Sequence, residues 1–137
     1  MRIMICGSMS FADEMLEAKE TLEQISHDVL VSGFIANHVG LTHEQSERQV
    51  MKEKREDDAM RVDFQKLHHV DAVLVLNFEK RGIPNYIGGN TFLEMGLAHV
   101  LGRKIFLANP VPDIPVYRSE IEAMLPIVIG TDYSLIV

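Results

Sequence analysis

Two carboxylates stand out for the company they keep. Glu94 lies in "GGNTFLEMGLAHVLGRKIFL", just behind Gly88, Gly89 and Asn90, where a helical pattern begins. Asp63 lies in "RVDFQKL", one residue before the apolar Phe64, near the end of a helical pattern that leads into an apolar strand. Two carboxyl groups brought together from neighbouring elements are what cleavage of a glycosidic bond needs, one as nucleophile and one as acid. Glu94 also suits a plainer duty. Thr91-Phe92-Leu93-Glu94 matches a capping box, in which Thr at the N-cap and Glu three residues on satisfy each other's backbone donors.

Gly7 and Ser8, in "CGSMS", follow a short apolar run and precede a helix, so they can offer backbone N–H groups and a hydroxyl to an anion or a sugar. Met4 and Met9 lie close to that turn; the other methionines, among them Met60, Met95 and Met124, suit adaptable core filling. Neither G-x-G-x-x-G nor a Gly-Lys-Ser/Thr phosphate loop is present. The six histidines (27, 38, 43, 68, 69 and 99) have no Cys or carboxylate partners at ligand spacing, so no metal is expected. His68 and His69 suit a helix C-terminus, and "EKREDD" (53 to 58) reads as a solvated helix face.

These residues need elements to position them. "RIMIC" (2 to 6) is a short apolar run closed by Gly7, a strand and a turn. Phe11, Met15, Ala18, Leu22 and Ile25 recur at helical spacing, and "DVLVSG" (28 to 33) is a second strand. One long helix is expected from near Thr42 to His69, followed by the strand "DAVLVLN", apolar on both faces and therefore central and parallel. After a glycine- and proline-containing loop (78 to 89) come the helix of Glu94, the strand "KIFLAN", the helix "RSEIEAML" and the strand "PIVIG".

Strand and helix alternate, and right-handed crossovers then give an α/β three-layer sandwich of about five parallel strands, expected as a flavodoxin-like or Rossmann-like sheet with the order 2-1-3-4-5. Ligands of such sheets bind beyond the carboxyl ends of the strands, where the order reverses between the first and third strands. That rule selects Gly7, Ser8 and Met9 on one side, and Asn77, Gly88, Gly89 and Asn90 with Glu94 on the other.

Bulk composition narrows the partners. With 137 residues, 47% hydrophobic and 24% charged, the chain is expected to form one domain, 1–137, around one core. A net charge of −7 argues against a nucleic-acid polymer and leaves a small ligand open. The apolar run in "MRIMICGSMS" is too short for a signal peptide, no stretch reaches the length of a membrane span, and one cysteine, Cys6, suits a reducing compartment. A cytoplasmic location is the expectation.

In order along the chain, "CGS" after the first strand, Asp63 eight residues before the Asp71 that opens the third, and "TFLEMGLA" resemble the nucleoside 2-deoxyribosyltransferases and the related deoxynucleoside monophosphate N-glycosidases. The likeness covers most of the chain. It implies Glu94 as nucleophile on the anomeric carbon, Asp63 as the group handling the base's proton, a nucleoside or nucleotide substrate, no cofactor, and a homodimer or larger homo-oligomer. It also places Glu122 at a position that reaches a neighbouring subunit's site. The sequence departs from the pattern in two places: Met4 stands where the family has a tyrosine, and Gly88 where it has Asp or Ser. A binding or sensing module of the same fold is the rival reading, favoured by Met4. A flavodoxin-type electron carrier or phospho-receiver lacks its phosphate loop or acidic pair.

Overall fold

The computed structural model describes residues 1–137, with a five-stranded sheet in the order β2-β1-β3-β4-β5 and every pairing parallel. The strands are β1 (Arg2–Cys6), β2 (Asp28–Leu30), β3 (Ala72–Val75), β4 (Lys104–Leu107) and β5 (Ile127–Val128). The helices are α1 (Ala12–Gln24), α2 (His43–Glu56), α3 (Ala59–Phe64), α4 (Gly89–Val100) and α5 (Arg118–Ala123). The expected architecture is present, including the reversal between β1 and β3.

The period of two along each strand divides the core into layers. Ile3, Ile5, Leu74 and Phe106 join Met15 and Leu22 of α1 on one face. Met4, Cys6, Val73, Val75 and Leu107 join Met95 of α4 and Ile121 of α5 on the other. Cys6 and Glu94 therefore meet because β1 turns alternate residues toward the layer in which α4 packs.

Two expectations need correction. The long helix is broken: α2 ends at Glu56, Asp58 takes a left-handed conformation (φ 54°, ψ 39°), and α3 restarts at Ala59 before a 3-10 turn over Gln65–His69. Adjacent acids oppose the dipole at a helix C-terminus, and Asp tolerates the left-handed region better than most residues. The run 53 to 58 is also no uniform solvated face, because Glu53 is 2% exposed and bonded to His38. The start at Thr42 holds, with a capping box completed by Gln45. β2 is shorter than its apolar run and releases Ser32 and Gly33 into a loop.

Gly7 closes β1 with φ +153°, and a Cβ there would lie 3.1 Å from the Leu76 carbonyl oxygen and 2.9 Å from the Met15 methyl. The methyl can move; the carbonyl belongs to the chain leaving β3. Gly7→Ala should therefore lose about 2 kcal/mol of stability in urea denaturation, whereas an unchanged midpoint would show that the turn relaxes freely.

Candidate functional site

A cavity of about 340 Å³ opens at the carboxyl ends of β1 and β3, within the size range of small-molecule sites. Its wall includes Gly7, Ser8 and Met9 from the β1 turn, Asp63 from α3, and Gly88, Gly89, Asn90 and Glu94 from α4 and its approach. Met4 lines it too, 1% exposed.

Glu94 owes its position to helical periodicity. Thr91, Glu94, Met95 and Ala98 form the buried face of α4, the i, i+3, i+4, i+7 spacing of one helical stripe. The helix begins earlier than the capping-box pattern requires: Gly88 is the N-cap, and no side chain caps it. Thr91 and Glu94 consequently lie inside the helix, and the capping-box reading of Glu94 is withdrawn. The carboxylate is held instead by Cys6 Sγ, which donates to Oε2 at 3.5 Å, and by Asn90 Nδ2, which donates to Oε1 at 3.2 Å. Burial pushes the Glu94 carboxyl up to about 8, and the nearby charge of Asp63 adds to the rise, while the bonds from Cys6 and Asn90 oppose it. Burial likewise pushes the Cys6 thiol well up, helped by Glu94, so the sulfur remains a donor.

Near neutral pH, Glu94 thus carries a proton. The Asn90 amide oxygen is buried without a partner. A half-turn of that amide would let its oxygen accept the Glu94 O–H, so a single side chain serves both charge states of the carboxyl.

Asp63 is fixed by the loop after β2. Its Oδ2 accepts from Ser32 Oγ at 2.5 Å and its Oδ1 from the Gly33 N–H at 3.0 Å, with Lys66 Nζ 3.5 Å from Oδ1. Asp63 and Glu94 line the same cavity, and each oxygen of Asp63 has a partner. Tyr86 crosses the wall, its hydroxyl close over Gly88, where a Cβ would come within 3.0 Å of it.

Two candidate residues lie elsewhere. Asn77 is fully buried and clamps β3 to the chain after β4: its amide nitrogen donates to the carbonyls of Asn109 and Pro110, and its oxygen accepts from the Asn109 N–H. With both ends occupied it has nothing to offer a ligand. Glu122 sits on α5 outside the cavity, accepting from Arg118 Nε at 2.8 Å. Tyr117 is also outside, its hydroxyl donating to the Ile87 carbonyl.

Sequence reasoning missed Cys6, Ser32 and Lys80 as wall residues. Ser32 sits just past β2, on the edge where ligand sites are expected, and could have been found by that rule. Buried Lys80 carried no such signal. No group of three or more His, Cys, Asp or Glu side chains is placed to hold a metal ion. His38 is occupied, with Nδ1 2.6 Å from Ser46 Oγ and Nε2 2.6 Å from Glu53 Oε1. No helix is long and apolar enough to cross a membrane.

No family model matches the chain, and no curated protein matches it. Among solved structures, the fold is similar to that of BcmB, a CMP N-glycosidase of Clostridium botulinum. The two share 12% sequence identity, with 96% of this chain and 91% of that chain covered and a TM-score of 0.50. At this identity the likeness speaks for the fold.

The buried carboxyl makes a testable demand on stability. Between the ordinary carboxylic range near 4.5 and about 8, folded Glu94 keeps a proton that the unfolded chain has released. Stability should therefore fall as pH rises through that window, by an amount on the order of a few kcal/mol. In Glu94→Gln this component is absent. Urea denaturation from pH 5 to 9 should show the variant gaining on the wild type as pH rises; parallel curves would mean that Glu94 is solvated.

Proposed function

We propose that the chain, as a single domain of residues 1–137, breaks the N-glycosidic bond of a nucleoside or nucleotide, with Glu94 as nucleophile and Asp63 handling the base's proton. The observation that carries this reading is the placement of Glu94: buried in a cavity wall, free of any capping duty, and facing the same space as a second, well-held carboxylate. The fold shared with a CMP N-glycosidase supports it.

The chemistry follows from the groups present. An oxygen of ionised Glu94 forms a bond to the anomeric carbon as the carbon–nitrogen bond breaks, and the electron pair leaves with the base, whose ring nitrogen takes a proton relayed from solvent by way of Asp63. Water then attacks the same carbon, giving up a proton to solvent by way of Asp63, and frees the carboxylate; a second base in place of water completes a transfer. A carboxylate that is costly to ionise in the empty site gains most when positive charge develops on the sugar, so the interaction is stronger in the transition state than before it.

Self-association belongs to this proposal. The outer surfaces of α4 and of the chain around α5 leave Leu93, Val100, Val116 and Leu125 more than half exposed, an apolar surface suited to a second copy. Glu122 lies on that same α5.

The second reading, a binding or sensing module, is favoured by Met4, an apolar side chain where the resembled family has a tyrosine. Tyr86 is the phenol that lines this cavity.

The test is release of free base from a panel of nucleosides and nucleotides, CMP included, followed by chromatography. Glu94→Gln should lower turnover by about three orders of magnitude or more while the protein stays folded, and Asp63→Asn by about a hundredfold or more. For the wild type, kcat/KM should rise with pH and level off above about 8, as Glu94 ionises. Full activity in Glu94→Gln, or no release from any substrate, would leave the binding module ahead.

A further inference from the structure

Cys6 is the single cysteine of the chain and lies in the wall of the cavity, 2% exposed. It has no partner for a disulfide and belongs to no cluster of metal ligands. Burial pushes its thiol well up, and Glu94 adds to the rise, so it is a poor nucleophile and a poor redox sensor. Its hydrogen-bond partner is an acid. β1 turns Cys6 toward the layer in which α4 packs, in register with Val75, and Sγ donates to Glu94 Oε2 at 3.5 Å.

Glu94 takes one donor on each oxygen, the Cys6 thiol on Oε2 and the Asn90 amide on Oε1 at 3.2 Å, and no other. The two differ in kind. The Asn90 amide can donate or accept, and its buried oxygen is without a partner, so it can serve the acid as well as the carboxylate. A thiol is a weak donor, and its bond favours the carboxylate slightly. A hydroxyl in its place would favour the carboxylate more, and a methyl group would not favour it at all. Two charged groups also act on Glu94 without a hydrogen bond: Asp63 on α3 favours the acid and Lys54 on α2 the carboxylate. A substitution at Cys6 leaves both in place.

We propose that Cys6 is a positioning residue of the reaction: its thiol orients the Glu94 carboxylate for attack and, through the weakness of its hydrogen bond, sets the pH at which that carboxylate forms. The inference rests on Glu94 being the nucleophile proposed above. An attacking carboxylate must be aimed, and it must keep a lone pair free for the anomeric carbon. The thiol supplies the aim from a short side chain at a strand end, and its weak bond is easily given up as the new carbon–oxygen bond forms.

Glu94 can be watched without turnover. In protein labelled with carbon-13 at the glutamate side-chain carboxyl, the Glu94 resonance, assigned by its loss in Glu94→Gln, should titrate with a midpoint near 8 in the wild type. Cys6→Ser should lower that midpoint and Cys6→Ala should raise it, each by roughly half a pH unit or more, with folding checked by circular dichroism. The pH profile of kcat/KM for base release should move with the resonance in both variants. A midpoint in folded Cys6→Ser equal to or above that of the wild type would overturn the proposal. If Cys6→Ser does not fold, Cys6→Ala decides, and an unmoved or lower midpoint there overturns it. Base release whose pH profile stays in place while the resonance moves would keep the glycosidase reading and overturn this one. A resonance that moves as expected in a protein that releases no base would sink the glycosidase reading and leave the coupling of Cys6 to Glu94 standing.

Discussion

Placing a carboxyl group out of water beside weak donors is the constraint on which the site depends. Glu94 has a thiol and an amide for company, and no cation touches it. Such donors cannot replace the hydration of a carboxylate, so the group keeps its proton until roughly pH 8. A structural glutamate in this position would be a poor choice, since Gln or Met would fill the space without the cost. The same cost becomes useful if the cavity receives a centre that turns cationic during reaction.

The fold supplies that environment through its strand order. Parallel strands with β1 and β3 adjacent bring the turn at Gly7 and the approach to α4 to one edge, although Cys6 and Glu94 are 88 residues apart in sequence. The break at Asp57 and Asp58 lets α3 take a course of its own, with Asp63 turned to the Ser32 loop and the cavity. The pair His38 and Glu53 ties the loop before α2 to that helix, whose Ser46, Glu47 and Glu53 are part of the wall.

Much of this was legible in the residues. Apolar runs marked all five strands, alternation with helical patterns implied parallel pairing, and the edge rule, applied to the order 2-1-3-4-5, located Gly7, Ser8, Met9, Gly88, Gly89 and Asn90, all of which line the cavity. What was hidden depends on contacts that no local pattern records. Helical periodicity continues through Asp57 and Asp58, so the break left no mark. Glu53 looked solvated because its partner His38 comes from a separate loop. The capping-box pattern at Thr91 and Glu94 was real in sequence, yet helix α4 starts at Gly89, where Gly88 can cap it and leave Glu94 to the core. Asn77 lay on the right edge but spends its amide on joining two strand ends.

Trapping the sugar on the protein tests the central claim most directly. A nucleotide with fluorine at the 2′ carbon slows formation and breakdown of a glycosyl ester, because the electronegative substituent opposes the oxocarbenium-like centre. After acid quenching, peptide mass spectrometry should find the fluorinated sugar attached to Glu94, with one equivalent of base released per trapped protein. Base release with no sugar on the protein, or a sugar attached to a different residue, would contradict Glu94 as the nucleophile.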